Sequence, residues 1–157
     1  MCGYDQVPVR ARALQGDDRM ADEQTKRFSF SSDALPAQTF TVVRFRGEEG
    51  LSRCYRFELE LVAEDASIDL AAVLAAPATF TINRVEEDIR FHGILAEFDQ
   101  LQQMENYVFY RAVLVPKLWR LGLTHHNQVF LDQTAPQILE ACFKDAGLTS
   151  QDFELRL

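Results

Sequence analysis

Between Arg44 and Leu61 the chain reads RFRGEEGLSRCYRFELEL, and the second half of that run alternates without interruption. Tyr55, Phe57, Leu59 and Leu61 share one face, while Arg56, Glu58 and Glu60 occupy the other. A period of two with a single apolar side predicts an antiparallel strand, half buried, with a solvated outer face. Gly47-Glu48-Glu49-Gly50 is then the loop from a preceding strand over roughly residues 39–46, introduced by Leu35-Pro36.

The same reading extends along the chain. Residues 65–76 predict a short helix, capped by Asp69, with Leu70, Val73 and Leu74 as its apolar stripe. Pro77 closes it, because the residue before a proline disfavours the α region. Residues 78–85 and 89–101 predict a hairpin turned by Glu86-Glu87-Asp88. Within its second strand Ile89 and Phe91 lie on one parity and Ile94, Ala96 and Phe98 on the other. That phase change predicts a bulge near Gly93, bending the strand as barrel closure requires. A fifth strand follows over 107–115 and ends at Pro116.

Leu118, Trp119, Leu121 and Leu123 fit helix and strand equally well, and residues 129–132 predict a short strand. Thr134 and Gln137 have capping-box spacing, with Pro136 in the first turn. Ile138, Leu139, Cys142, Phe143 and Ala146 form an expected buried stripe, and Gly147 stands where the helix ends. Phe153, Leu155 and Leu157 alternate with charges, a strand beginning at the last residue, so the chain reads as a fragment of something longer. The expected fold is a mainly β, antiparallel barrel with one or two short helices.

Composition narrows the function classes. A chain of 157 residues has room for one domain with a hydrophobic core, or for one domain and a tail. Residues 1–27 hold five basic and five acidic side chains and no periodicity, and read as a disordered tail, with Met20 as an alternative start to Met1. Residues 28–157 form the expected domain and carry the whole net charge of −8. That balance argues against nucleic acid, which demands a basic surface. No apolar run approaches the roughly 18 residues of a membrane span, and the N-terminus lacks the apolar core of a signal peptide. Cys2, Cys54 and Cys142 are too scattered for a disulfide framework. Cys54 and Cys142 read as small buried hydrophobes.

Reaction chemistry is sparse. His125 and His126 are adjacent, so on a strand they point to opposite faces, and His92 stands apart. No Cys-x-x-Cys, His-x-x-x-His or calcium-loop pattern occurs, so no metal or cofactor is expected. Glu58 and Glu60 share a strand face as a glycosidase pair would, but they alternate with buried residues along a whole strand and read as its solvated side. The acidic Gly47–Gly50 loop would repel phosphate. Ser29, Ser31, Ser32 and Ser52 lack a nucleophile elbow or a recognisable partner. Trp119, Phe91 and Phe109 are expected in the core. No catalytic residue is expected anywhere in the chain.

A series of motifs in a fixed order carries a family resemblance. Arg44, Phe45 and Gly47 precede Glu49, Gly50, Leu51 and Ser52, and then Tyr55, Phe57 and Glu58. Pro77, Ala78 and Thr79 follow the helix at Asp69 to Leu74. Phe91, His92, Gly93 and Ile94 come next, and Leu114, Pro116, Leu118, Trp119 and Leu121 complete the order. In sequence and spacing, residues 28–157 resemble the N-terminal region of VgrG, the spike protein of type VI secretion systems. Val129, Phe130 and Leu131 keep a later motif only in part, and Asn127-Gln128 replaces a basic residue usual before it.

The resemblance implies a structural protein, the first barrel of a contractile-tail hub. Its implied partners are two further copies, in a homotrimer, and the hexameric secretion-tube protein. It implies assembly in the cytoplasm and then translocation through the contractile apparatus. The hub of a phage tail is the related alternative. An alternative of another class is a small ligand- or carbohydrate-processing barrel using Glu58, Glu60 or His92 in a pocket.

Overall fold

The computed structural model describes residues 27–64, 67–123, 125 and 127–156. The expected tail, the alternative start at Met20 and Cys2 lie outside the described residues, as do His126 and Leu157.

Six strands form one antiparallel sheet: β1 (Phe28–Ser32), β2 (Thr41–Gly50), β3 (Arg53–Ala63), β4 (Pro77–Ile82), β5 (Ile89–Met104) and β6 (Tyr107–Val115). Their order across the sheet is β1-β4-β5-β6-β3-β2. A helix α1 (Leu70–Ala75) lies between β3 and β4, a 3-10 segment (Lys117–Gly122) follows β6, and helix α2 (Ala135–Asp145) comes last. The sheet curls into a half-barrel. Its two edge strands meet through rings, with Phe28 of β1 edge-on to Phe45 of β2 at 4.9 Å between centroids.

Alternation decides what enters the barrel. Phe57, Leu59, Leu61 and Ala63 of β3 face inward against Val108, Tyr110, Ala112 and Leu114 of β6, and all eight are buried. Two aromatic groups fill the interior. Phe45, Phe57, Phe80 and Phe91 form one, with Phe57 and Phe91 4.3 Å apart, and Phe40, Phe98 and Tyr110 form the other. Val73 of α1 is completely buried in the same core. Asp69 caps α1 by accepting the Ala71 and Ala72 amides at 3.0 and 3.1 Å. Leu70 is partly buried, while Leu74 of the expected stripe stands exposed.

Two glycines make room for neighbours. A Cβ on Gly47 would lie 2.3 Å from the Phe57 ring, which covers the strand there. A Cβ on Gly93 would lie 2.0 Å from the Val115 carbonyl oxygen. Gly93 is thus a close-approach residue in regular register with Ala78, and the expected bulge lies elsewhere. The register shifts between Leu95 and Glu97, and again between Gln100 and Gln102. The extra residue at Ala96 moves the phase, so Leu95 and Phe98 both face inward while Ile94 and Ala96 pack on the outer face.

Other boundaries differ from the sequence reading. The FSFSS strand at 28–32 was not anticipated, although Phe28 and Phe30 alternate with serines. β2 runs through the acidic loop to Gly50, so that only Leu51 and Ser52 turn the chain, with Ser52 at φ 59°. β4 ends at Ile82, and 83–88 form the connection to β5. Residues 129–132 and 153–156 form no strand.

Candidate protein-interaction surface

The outward residues of the four strands β2, β3, β6 and β5 form a lattice of ion pairs centred on Arg111. Its Nε donates to Glu58 Oε1 at 2.7 Å, while its two terminal nitrogens stand 2.9 Å from Glu97 Oε2 and 3.5 Å from Asp99 Oδ2. Arg56 joins Glu97 at 2.8 Å, Arg44 pairs with Glu60, and Arg46 meets Glu48 at 3.1 Å. Register produces this pattern. Arg111 is level with Glu60 on β3 and with Asp99 on β5, and Val113 is level with both Glu58 and Glu97. The Arg56 hydrogen bond holds the Glu97 carboxyl below the usual range, aided by Arg111. The Glu58 hydrogen bond likewise raises the Arg111 guanidinium. Exposed pairs of this kind contribute little individually. Together they give the sheet an ordered face of alternating sign.

That lattice accounts for the two carboxylates noted in the sequence. Glu58 and Glu60 each have a guanidinium partner on the outside of the sheet. His92 does not join them. It lies five positions before Glu97 along β5, about 16 Å at the rise of a strand, with Nδ1 2.9 Å from Thr79 Oγ1. Its carbonyl accepts a hydrogen bond from the Tyr55 hydroxyl, whose pKa burial pushes up to about 12. Among the described residues no group of His, Cys, Asp and Glu is gathered to hold a metal ion.

Above the lattice lies an apolar patch. Ile94, Val113 and Val115 are buried beneath Ala96 and Trp119. Trp119 was expected in the core; it instead covers the outer face, because the 3-10 segment after Pro116 carries it back over the strands. Phe91 joins the inner core, whereas Phe109 shares the outward parity of Arg111 and is half-buried. Cys54 was also expected to be buried and is exposed, since its parity matches Arg56 and Glu58. Cys142 is half-buried on α2.

The segment after Pro116 is tied together by polar contacts. Lys117 Nζ donates to Asp152 Oδ1 at 2.6 Å, and Asp152 Oδ2 accepts from the Thr149 amide and hydroxyl at 2.8 and 2.9 Å. These bonds, led by that of Lys117, lower the Asp152 carboxyl from 3.8 to about 2. Helix α2 starts with the expected capping box, in which the Thr134 amide donates to Gln137 Oε1 at 2.8 Å. It ends with Gly147 at φ 78°, where the Gly147 and Leu148 amides reach the Lys144 and Phe143 carbonyls. The expected buried stripe is only partly covered: Ile138, Cys142, Phe143 and Ala146 are half-buried and Leu139 is exposed. Phe143 packs on Phe153 at 4.7 Å. A cleft of about 920 Å³ opens beside α2, lined by Arg120, Leu121, Leu123, Cys142, Asp145 and Ala146 among others.

The β2–β3 turn is the most exposed part of the sheet's hairpin. A bulge at Glu49 precedes it, and Leu51 at its apex is 99% exposed. Alternation located both faces of the sheet. It carried no signal for which outward charges would pair, because the partners lie on different strands.

Residues 48–157 match the family described as phage tail baseplate hub (GPD). The chain is 34% identical over 130 residues, 83% of its length, to the type VI secretion system spike protein VgrG4b of Pseudomonas aeruginosa. It is 32% identical over 136 residues to VgrG1b of the same organism, covering 86% of the chain. The actin cross-linking toxin VgrG1 of Vibrio cholerae is 30% identical over 142 residues, 84% of this chain. The chain spans 16%, 18% and 13% of those relatives' own lengths. A solved structure of the E. coli c3393 protein, a type VI secretion component described as similar to the T4 tail proteins gp27 and gp5, superimposes with a TM-score of 0.65. The identity there is 24%, over 74% of this chain and 32% of the other.

Proposed function

Because the chain belongs to the phage tail baseplate hub family, we propose that it serves as the hub module of a type VI secretion spike, trimerising and docking onto the hexameric secretion tube. In this reading it transforms no substrate and needs no cofactor, metal or nucleic acid. Residues 28–157 form the hub domain, and residues 1–27 are a tail. The protein assembles in the cytoplasm and leaves through the contractile apparatus. Among the described residues no helix is long and apolar enough to cross a membrane.

The observation that carries this reading is the outward sheet face: its carboxylates are committed to arginines, and its apolar patch is covered by Trp119. Such a face suits broad contact between proteins, in which affinity comes from buried area and complementary charge. The toxin activity named for the Vibrio relative belongs to a protein of which this chain spans 13%.

Sedimentation of the purified protein, with capture by immobilised tube protein, tests the proposal. A trimer that retains the tube protein is expected. A monomer without affinity for the tube ends the reading. A phage-tail hub is the related alternative, and export that depends on an intact secretion apparatus separates the two.

A further inference from the structure

We infer that Arg111 is a register lock, a positioning residue that holds the part of β5 between its two bulges in its pairing with β6. β5 approaches that part in regular step, with Ile94 level with Val115 and Leu95 with Leu114. Continued without an extra residue, the step would set Glu97 against Ala112, Phe98 against Arg111 and Asp99 against Tyr110. Ala112 and Tyr110 have no exposed surface, so that pairing would drive two carboxylates into the interior and turn Phe98 out. A slip of one residue exchanges the two faces of a strand. In the bulged pairing Glu97 is instead level with Val113, Phe98 with Ala112 and Asp99 with Arg111. Phe98 is then buried and stacks on Tyr110 at 5.6 Å between centroids.

Apolar parity selects the face but not the level, because a displacement by two residues keeps every side chain on its own side. The charges fix the level. Arg111 reaches Glu97 at 2.9 Å and Asp99 at 3.5 Å on β5, and Glu58 at 2.7 Å on β3, so one guanidinium ties both neighbours of β6. Its planar fork suits such divided contacts. Arg56 adds a second tie, spanning β6 from β3 to meet Glu97 at 2.8 Å. Val113, level with Glu58 and Glu97, is completely buried on this outer face. Arg111 is also the least exposed charge of the lattice, with 32% of its side chain open. Ion pairs joined in a network are the surface pairs that do contribute. Beyond Gln100 the second register shift follows, and Leu101 and Met104 stand half exposed with no such tie.

Hydrogen exchange of the full chain tests the lock, read by mass spectrometry on peptides covering 96–104 and on β1 and β4 as references. Those two strands carry no charged residue, and β4 pairs with β5 only as far as Ile94. Arg111→Met should speed exchange over 96–104 by about tenfold or more, while β1 and β4 change by less than about twofold. Glu97→Gln should act on the same peptides, and the double variant should fall short of the product of the two separate effects. In the parent, about 1 M NaCl, where the Debye length is about 3 Å, should reproduce the local speeding; in Arg111→Met it should add little. Equal acceleration in every strand would make Arg111 a general contributor to stability and overturn the lock. Independent effects of the two substitutions would overturn it too. So would a parent whose 96–104 peptides ignore salt, a result that decides the matter even if Arg111→Met does not fold.

Discussion

In the half-barrel Leu59, Leu61, Phe80 and Tyr110 have no exposed surface at all. After Pro116, Leu148 is the one described hydrophobic residue buried to a comparable degree. The first region closes on itself, because a curled sheet turns every second side chain of six strands into one interior. The second has an amphipathic helix with good caps at both ends, yet among the described residues its stripe lies against Phe153 and the 3-10 segment and stays half-buried. Caps and periodicity therefore make a helix, but burial needs an opposing surface.

Four substitutions and one control would break or sharpen the contrast. Phe57→Ala removes the ring packed against Phe80 and Phe91, and a loss of about 3–5 kcal/mol is expected from denaturant unfolding. A loss below about 1 kcal/mol would mean the interior is not packed as a single unit. Gly93→Ala should come next, at about 1–3 kcal/mol, because the added methyl meets the Val115 carbonyl and the two strands must part. An unchanged midpoint would show that β5 and β6 do not approach so closely. Trp119→Ala should cost about 1–2 kcal/mol, less than Phe57, since the indole covers the barrel from outside. Equality of the two would place the 3-10 segment in the core.

Asp152 tests the second region alone. Its folded carboxyl titrates at about 2, below the ordinary 3.8, so its stabilising effect is present above 3.8 and is lost as pH falls through about 2. Asp152→Asn should lower the melting temperature at neutral pH, followed by Trp119 fluorescence, the chain having a single tryptophan. The gap from the parent should close on acidification across that window. A gap independent of pH would exclude the Lys117 pairing as its cause. Glu86→Ala, in the exposed β4–β5 connection, is the control and should stay within about 0.5 kcal/mol.

How far the sequence reached differs between the regions for the same reason. Alternation from Tyr55 to Leu61 identified a strand and its inward residues directly, whereas the strand from Tyr107 to Val115 was identified with Phe109 expected inside, although its parity turns it outward. Asp69, Thr134, Gln137 and Gly147 marked helix ends, because caps are local chemistry. β1 was missed because FSFSS is short and only Phe28 and Phe30 carry its alternation. The bulge was displaced from Gly93 to Ala96 because a phase change states that a residue is extra without stating which one. Trp119 and Cys54 were assigned to the wrong side for a similar reason. Hydrophobicity says that a side chain tends to be covered, but not by what.

By itself, then, the order of residues determined five of the six antiparallel strands, the helix caps, the absence of a recognisable catalytic motif and the family. Only the tertiary structure decided that Glu58 and Glu60 belong to Arg111 and Arg44, that Gly93 makes way for Val115, and that α2 remains half covered. The physical reason is distance along the chain. Periodicity and capping act over a few residues, whereas register, ion pairing and burial depend on strands that meet after tens of residues have intervened.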